Sequence, residues 1–415
     1  MIIYKTHNNI RVVISPINIQ EVVSVGMFFK VGSQDEKKDS NGITHLIEHI
    51  VSEQFINDCS IVSGRANAIT TKEYCCFFSK AFSSKIEDVL RCLKNICNYD
   101  FNENEIIKAK KIVINEMQEI EEEQYVEQQI FEEHLNGDAL RFLPIGRKEN
   151  IEKLTKQQIE KHYCQYFRPD NCAISIVGFV DEDKTLKYIE DIFSNWKMGI
   201  VINDIGTEFL KGDKKVISKW IRLQKKSSSI RILFDGVKRD SEEKNAVAAL
   251  CNYLGGGAHS KLFHFIRKEL LAYNAFCISQ SFASRGIVYL KIEGVTGSAS
   301  IVMEKVSALL VKLAEEKITY ESLEQIRKRL IENYVYKHET LSSKMTLNGL
   351  QLLFDDYITS DKKMIESLNN IREKDIEKAF SNIMSNSITM MFDSTDVEKT
   401  NYFDRFFEEA SCSIV

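Results

Sequence analysis

The segment His45-Leu46-Ile47-Glu48-His49 constrains this chain more than any other stretch of it. On a helix, residues four apart stand one above the other, so His45 and His49 share a face and Glu48 lies at its edge. Two imidazoles at that spacing can take two corners of a zinc tetrahedron. A carboxylate beside them can act as general base on a metal-activated water. The order is the inverse of His-Glu-x-x-His. The same residues also fit an ordinary helix that happens to carry two histidines. A catalytic zinc site needs a third protein ligand and keeps one position open.

Candidates for the third ligand lie in IVINEMQEIEEEQYVEQQ, inside a helical stretch read from Glu103 to about Leu135. Glu116, Glu119, Glu123 and Glu127 recur there by steps of three and four, roughly along one face. A glutamate run alone describes a solvated helix face. Glu116 stands out because it follows Ile112-Val113-Ile114, an apolar stretch that should pin the helix to a core.

The rest of the chain supplies the frame. Its 415 residues are 44% hydrophobic with a net charge of −5. That composition excludes intrinsic disorder and argues against a general nucleic-acid binder. Strand character is read at Met1–Tyr4, Ile10–Ile14, Val22–Val31, Ala66–Phe78 and Asn171–Val177. Helices are read at ITHLIEHIV, Ser84–Tyr99, Lys156–Tyr166 and Lys184–Asn195. The pattern then restarts. Trp220–Phe234 is strand-like, and Glu242–Leu254 is helical and stops at Gly255-Gly256-Gly257. A strand at Gly286–Gly294, helices at Ser298–Glu316 and Tyr320–Tyr336, and a strand at Ser387–Phe392 follow. The fold class expected is α+β, in two similar halves, each an antiparallel-rich sheet with helices packed on one side. Apolar periodicity lapses near Lys197–Lys215, so the domains are set at 1–200 and 201–415. Gly255–Lys261 lacks the Gly-Lys-Ser/Thr ending of a phosphate loop and reads as a helix-ending turn. His259 and His264 are not at metal spacing.

The ten cysteines form no Cys-x-x-Cys pair, so neither a thiolate zinc site nor a disulfide framework is expected. No apolar run is long enough to span a membrane. The opening MIIYKTHNNIRVVISPI lacks the apolar core of a signal peptide. A cytoplasmic location is the expectation.

GITHLIEHI, ANAITTKEYCCFF, KKIVINEMQEIE and LGGGAHSKLFHFIRKELLAY follow one another along the chain. Together they resemble the insulinase/pitrilysin family of zinc peptidases, and the length resembles its short, processing-peptidase-like bacterial members. The resemblance spans both halves. It implies a zinc-dependent endopeptidase with one Zn2+ held by His45, His49 and Glu116, and Glu48 as general base. Fewer residues separate His49 from Glu116 than is usual in the family, which leaves Glu123 as the alternative ligand. Ala109 stands where the family often has a supporting Glu. Asn67, Ala68, Ile69 and Thr70 match the edge strand that pairs with extended substrate. Arg267 and Tyr273 match the pair that reaches the active site from the second, metal-free half, which completes the substrate chamber, with one residue fewer between them. By the same resemblance the substrates are expected to be short or unfolded peptides, such as a small peptide precursor undergoing maturation. The partner is a second copy or a homologous subunit, with no nucleic acid and no membrane insertion. The alternative is a catalytically weak or inactive structural or regulatory subunit of a heterodimeric peptidase.

Overall fold

The structure, a computed structural model, describes residues 1–18, 21–62, 64–120, 122–197, 216–222, 228–295 and 298–394. In chain order the elements are β1 (Ile2–Lys5), β2 (Arg11–Pro16), β3 (Val22–Phe29), α1 (Ile43–Ile61), β4 (Arg65–Thr70), β5 (Cys75–Phe82), α2 (Ile86–Lys94), α3 (Glu103–Gln118), α4 (Glu122–His134), α5 (Lys148–Lys153), α6 (Lys156–Tyr166), β6 (Cys172–Gly178) and α7 (Glu182–Phe193). Next come β7 (Val216–Arg222), β8 (Ser228–Gly236), α8 (Lys244–Gly255), α9 (Lys261–Lys268), β9 (Asn274–Ser281), β10 (Gly286–Val295), α10 (Ala299–Glu315), α11 (Tyr320–Lys337), α12 (Leu341–Asp355), α13 (Asp361–Asn369), α14 (Glu373–Met384) and β11 (Ile388–Ser394). They form two compact units. The first comprises Met1–Ile120, Gly137–Thr207 and Val335–Thr359; the second comprises Glu121–Asn136, Glu208–Tyr334 and Ser360–Val415. The stretch around residue 200, where the sequence reading sets its boundary, lies outside the described residues.

The first unit is built on a mixed sheet of order β1-β2-β6-β3-β5-β4, in which β2 and β6 run parallel and the other neighbours antiparallel. Side chains alternate between its faces, as the pleat demands. Val12, Ile14, Met27, Phe29, Phe77, Ile174 and Ile176 point into the main core, with Leu46, Ile47, Val51 and Phe55 of α1. Their neighbours Val13, Phe28, Cys76, Ala173 and Val177 point the other way, onto Met345, Leu352 and Leu353 of α12. The strands therefore read as nearly continuous apolar runs because both faces are covered. Glycine sets how close α12 comes. A Cβ on Gly349 would lie 2.3 Å from the Phe28 ring, and one on Gly26 would lie 2.2 Å from Met345 Sδ.

The second unit has a sheet of order β7-β11-β8-β10-β9. Ile230, Ile232, Leu290, Ile292, Met390 and Phe392 meet α8, α9, α10 and α14 in its core. Its other face, where α4 packs on β8 and β11, mixes buried apolar residues such as Val126, Ile130, Leu233 and Met391 with charges. Arg231 and Asp393, 1% and 2% exposed, pair there, and Ser229 Oγ donates to Asp393 Oδ2 at 2.8 Å. Lys291 pairs with Glu123 and, at 2.8 Å, with Glu293.

The α+β class and the two sheet-and-helix units agree with the sequence reading. Beyond it, each sheet carries one helix on its second face. Other details differ. The helix read from Glu103 to about Leu135 is two helices, parted after Gln118. Ile106, Ala109 and Val113 bury in the first core, whereas α4 belongs to the second unit, so a single rod would strand one apolar set. The expectation that Glu116, Glu119, Glu123 and Glu127 share one helix face is corrected accordingly. Ala66–Phe78 is an antiparallel pair, β4 and β5, turning at Thr71–Tyr74, where Thr71 N donates to Tyr74 O at 2.8 Å. The helix holding His45 runs ten residues past Val51, to Ile61. Among the described residues no helix is long and apolar enough to cross a membrane.

Replacing Gly349 by Val is expected to destabilise the chain by about 1–3 kcal/mol, the usual cost of overpacking a filled core. Urea unfolding of the purified protein measures it. An unchanged midpoint would mean that α12 is free to retreat from Phe28.

Candidate metal centre

α1 begins at a glycine that cannot cap it. Gly42 is the N-cap residue, with φ 102°, and has no side chain to accept the first N–H groups of the helix. Glu36 takes that role from the preceding loop. Its carboxylate accepts from Gly42 N at 2.7 Å, Thr44 N at 2.9 Å and Asn41 Nδ2 at 2.8 Å. An anion at this end also suits the helix dipole. Burial nevertheless lifts the Glu36 carboxyl to about 7. Thr44 Oγ1 is 3.0 Å from Nε2 of His162, a buried imidazole on α6 whose pKa burial lowers to about 3. The first turn of α1 is thus held on two sides, one residue before His45.

α3 starts at Asn102, whose side chain accepts from Glu105 N at 2.9 Å. Ile106, Ala109 and Val113 bury at helical spacing, and Glu116 follows three residues later on the same side. Ala109 is 4% exposed among apolar neighbours, so no carboxylate stands at that position.

These two helices gather three ligand-type side chains. His45 Nε2 and His49 Nε2 are 3.1 Å apart. Glu116 Oε2 lies 3.2 Å from His49 Nε2 and 3.8 Å from His45 Nε2. Bonds of about 2.0–2.1 Å to a tetrahedral zinc imply ligand separations of roughly 3.3 Å. The observed triangle is of that size, so the residues fit the ion. His45 has a second qualification. Burial, reinforced by the neighbouring His49, lowers its pKa to about 3, which keeps the lone pair on the ring nitrogen free for a metal. Its Nδ1 is buried and has no hydrogen-bond partner. Among the described residues none supplies the outward acceptor that metal-binding histidines commonly use.

Glu48 is 7% exposed, with Oε2 3.8 Å from His45 Nε2. Burial raises its carboxyl to about 7, a hydrogen bond from Thr70 opposes the rise, and the charge of Glu116 adds to it. Thr70 Oγ1 donates to Glu48 Oε2 at 3.2 Å. Thr70 ends β4, the outer strand of the sheet, which pairs with β5 on one side only among the described residues. Along β4 the exposed Asn67 and Ile69 alternate with the half-buried Ala68 and Thr70.

Glu123, the alternative to Glu116, belongs to the second unit and is tied to Lys291, with Arg231 at 3.6 Å. Geometry gathers Glu116, not Glu123, with the histidines. Arg267, in the last turn of α9, and Tyr273 also belong to the second unit. The Arg267 guanidinium lies 5.3 Å from the Tyr273 ring centre and donates to Tyr273 O at 3.3 Å, and the Tyr273 side chain is exposed. The shortened spacing thus leaves the two in contact. Sequence reasoning missed Glu36 and the side-chain role of Thr70. Glu36 sits in the polar stretch GSQDEKKDSNG, where nothing marks one acid as buried.

The comparisons with known proteins bear on this geometry. Residues 11–149 match the family described as Insulinase (Peptidase family M16). Residues 153–330 match the one described as Peptidase M16 inactive domain. The chain belongs to the insulinase family of zinc peptidases, M16. An uncharacterized zinc protease of Bacillus subtilis, YmxG, is 25% identical over 388 residues, covering 89% of this chain and 92% of the relative. The crystal structure of a protease from Helicobacter pylori matches with a TM-score of 0.86 at 19% identity, covering 94% of this chain and 98% of that one. A chain of complex III2 from Candida albicans matches with a TM-score of 0.84 at 16% identity, covering 98% and 99%. The second half of this M16 peptidase carries no counterpart of the histidine motif.

The raised value of Glu36 gives a pH test. Its folded pKa of about 7 lies above the ordinary 4.5, so its contribution to stability is full below 4.5 and is lost as pH rises to about 7. Glutamine carries no such term. The stability of metal-free Glu36→Gln relative to wild type is therefore expected to climb between pH 4.5 and 7 and to level off outside that window. Denaturant midpoints across pH measure this, and a flat or falling difference would refute the burial assignment.

Proposed function

We propose that this M16 peptidase is an endopeptidase for short or unfolded peptides, with one Zn2+ per chain on His45, His49 and Glu116. The observation that carries the reading is the convergence of the three ligand atoms beside Glu48. When bound, zinc at these residues supplies Lewis acidity to a water and to the scissile carbonyl. Glu48 takes a proton from the attacking water and returns it to the leaving amine as the C–N bond breaks. A carboxyl lifted to about 7 is suited to both transfers. Asn67–Thr70 hold the substrate as an added strand, main chain to main chain, which favours extended peptides and reads little of their sequence. Arg267 and Tyr273 are proposed as donors to the substrate carbonyl or its developing oxyanion. Maturation of a small peptide precursor would suit this enzyme.

The proposal extends to a pair, either two copies or a homologous heterodimer. The likeness to a chain of complex III2 supports assembly. A cytoplasmic setting is part of the same reading, and the nine described cysteines are all free, as a reducing compartment requires. One observation favours the second reading, a weak subunit dependent on a partner: Ala109 is buried among apolar side chains, at the position where the family resemblance leads one to expect a supporting carboxylate.

Wild type, Glu48→Gln and chelator-treated protein, incubated with an unstructured peptide mixture and read by mass spectrometry, separate these readings. Wild type is expected to cleave. The Glu48→Gln variant should keep its zinc but turn over about 10²–10⁴-fold more slowly, the usual loss of a general base. Chelation should stop cleavage. Equal cleavage in all three would remove the proposal, and zinc-loaded wild type that cleaves only with a partner chain would move it to the second reading.

A further inference from the structure

The family resemblance implies that Thr70 belongs to the substrate-binding strand, where its main chain would be the part that matters. Its side chain does something else. Alternation along β4 turns Thr70 inward, away from the exposed face of Asn67 and Ile69. Its hydroxyl reaches Glu48 Oε2 at 3.2 Å. The same oxygen lies 3.6 Å from Sγ of Cys75, the residue directly opposite Thr70 across the β4–β5 pair. A threonine hydroxyl has one proton to give and can accept as well. A carboxylate is a far stronger acceptor than a thiol sulfur, so the hydroxyl proton goes to Glu48. The thiol then serves as donor to Thr70. Cys75 is fully enclosed, and burial holds it protonated, which suits that role. The chain of contacts is therefore Cys75 S–H to Thr70 O–H to the Glu48 carboxylate.

Building on the reading of Glu48 as the proton carrier, we infer that Thr70, backed by Cys75, is the positioning residue that fixes the Glu48 carboxylate beside the histidine cluster. Glu48 leaves α1 on a side chain with three rotatable bonds. The described contacts that orient its carboxylate are the Thr70 hydroxyl and the nearby His45. The oxygen that Thr70 holds is the one standing 3.8 Å from His45 Nε2, so the hydroxyl sets how that oxygen faces the histidine cluster. The placement also couples the substrate strand to the base. A peptide added to β4 is aligned by the same backbone segment that aligns Glu48, so register and proton transfer are set together.

Thr70→Val keeps the branched shape and removes only the hydroxyl; Thr70→Ser keeps the hydroxyl. Thr70→Val is expected to lower kcat about tenfold, the scale of one hydrogen bond to a charged group, with KM and bound zinc unchanged. Thr70→Ser should restore kcat. In a Glu48→Gln background the valine substitution should cost nothing more, since the group it positions is no longer the base. A readout independent of turnover comes from crystal structures of wild type and Thr70→Val. One Glu48 conformer is expected in the first, and a displaced or divided one in the second. An unchanged Glu48 conformer, a change confined to KM, or equal losses in the two backgrounds would each overturn the inference. Wild type that never cleaves would remove the peptidase reading instead, and the crystallographic comparison would still decide whether Thr70 orients Glu48.

Discussion

The carboxylate of Glu36 at the start of α1 is the contact on which the site depends. A helix that must present two histidines and a glutamate toward a metal has little freedom on that face. The opposite side of α1 is spent on the core, through Leu46, Ile47, Val51 and Phe55. Its start is a glycine in the left-handed region, which permits the sharp entry from the loop and provides no cap. Glu36 fills that gap from six residues upstream, at the cost of an acid removed from water. Desolvation and hydrogen bonding therefore oppose each other at one side chain. Their balance leaves a carboxyl that titrates near neutrality while still binding three donors.

The two units solve the same problem with different chemistry. Each covers the second face of its sheet with one helix. In the first unit the seam is tight and mainly apolar, with glycines at Gly26 and Gly349 letting Phe28 sit close under α12 and Asn348 donating to Ser15. In the second unit a network of charges around Arg231, Lys291, Asp393 and Glu123 stands beside apolar contacts such as Phe131 on Tyr289. An apolar seam gains from area removed from water. A buried ionic seam gains little net energy, because desolvation offsets most of the attraction, but a misplaced partner leaves an uncompensated charge.

Much of this was legible in the residues. His45, Glu48 and His49 announce a shared helix face by spacing alone. Glu116 stands out by the apolar stretch before it; within that stretch Val113 is the buried residue while Ile112 is exposed, and helical geometry carries the direction of Val113 forward to the glutamate. The helix at Lys156–Tyr166 is bounded in the structure as it was in the sequence, since Thr155 and Gln158 form a capping box. What escaped was set by tertiary structure. The break after Gln118 exists because two cores claim the two ends of one polar, helix-forming stretch, and periodicity cannot say which core a residue will join. Glu36 and Thr70 look like ordinary loop and strand residues until the fold places a helix terminus and a buried carboxylate against them.

The membership of α12 in the first unit also has a consequence for how the chain is made. The sheet of that unit is complete in sequence by Gly178, yet the helix that seals its second face lies beyond residue 335. A ribosome making about 5–20 residues per second needs on the order of ten seconds or more to span that interval. During it, Val13, Phe28, Cys76, Ala173 and Val177 form an apolar surface that, among the described residues, is covered by α12 in the finished fold. The half that carries the histidines is synthesised first and finished late, so the nascent chain passes through a stage in which chaperone capture competes with aggregation.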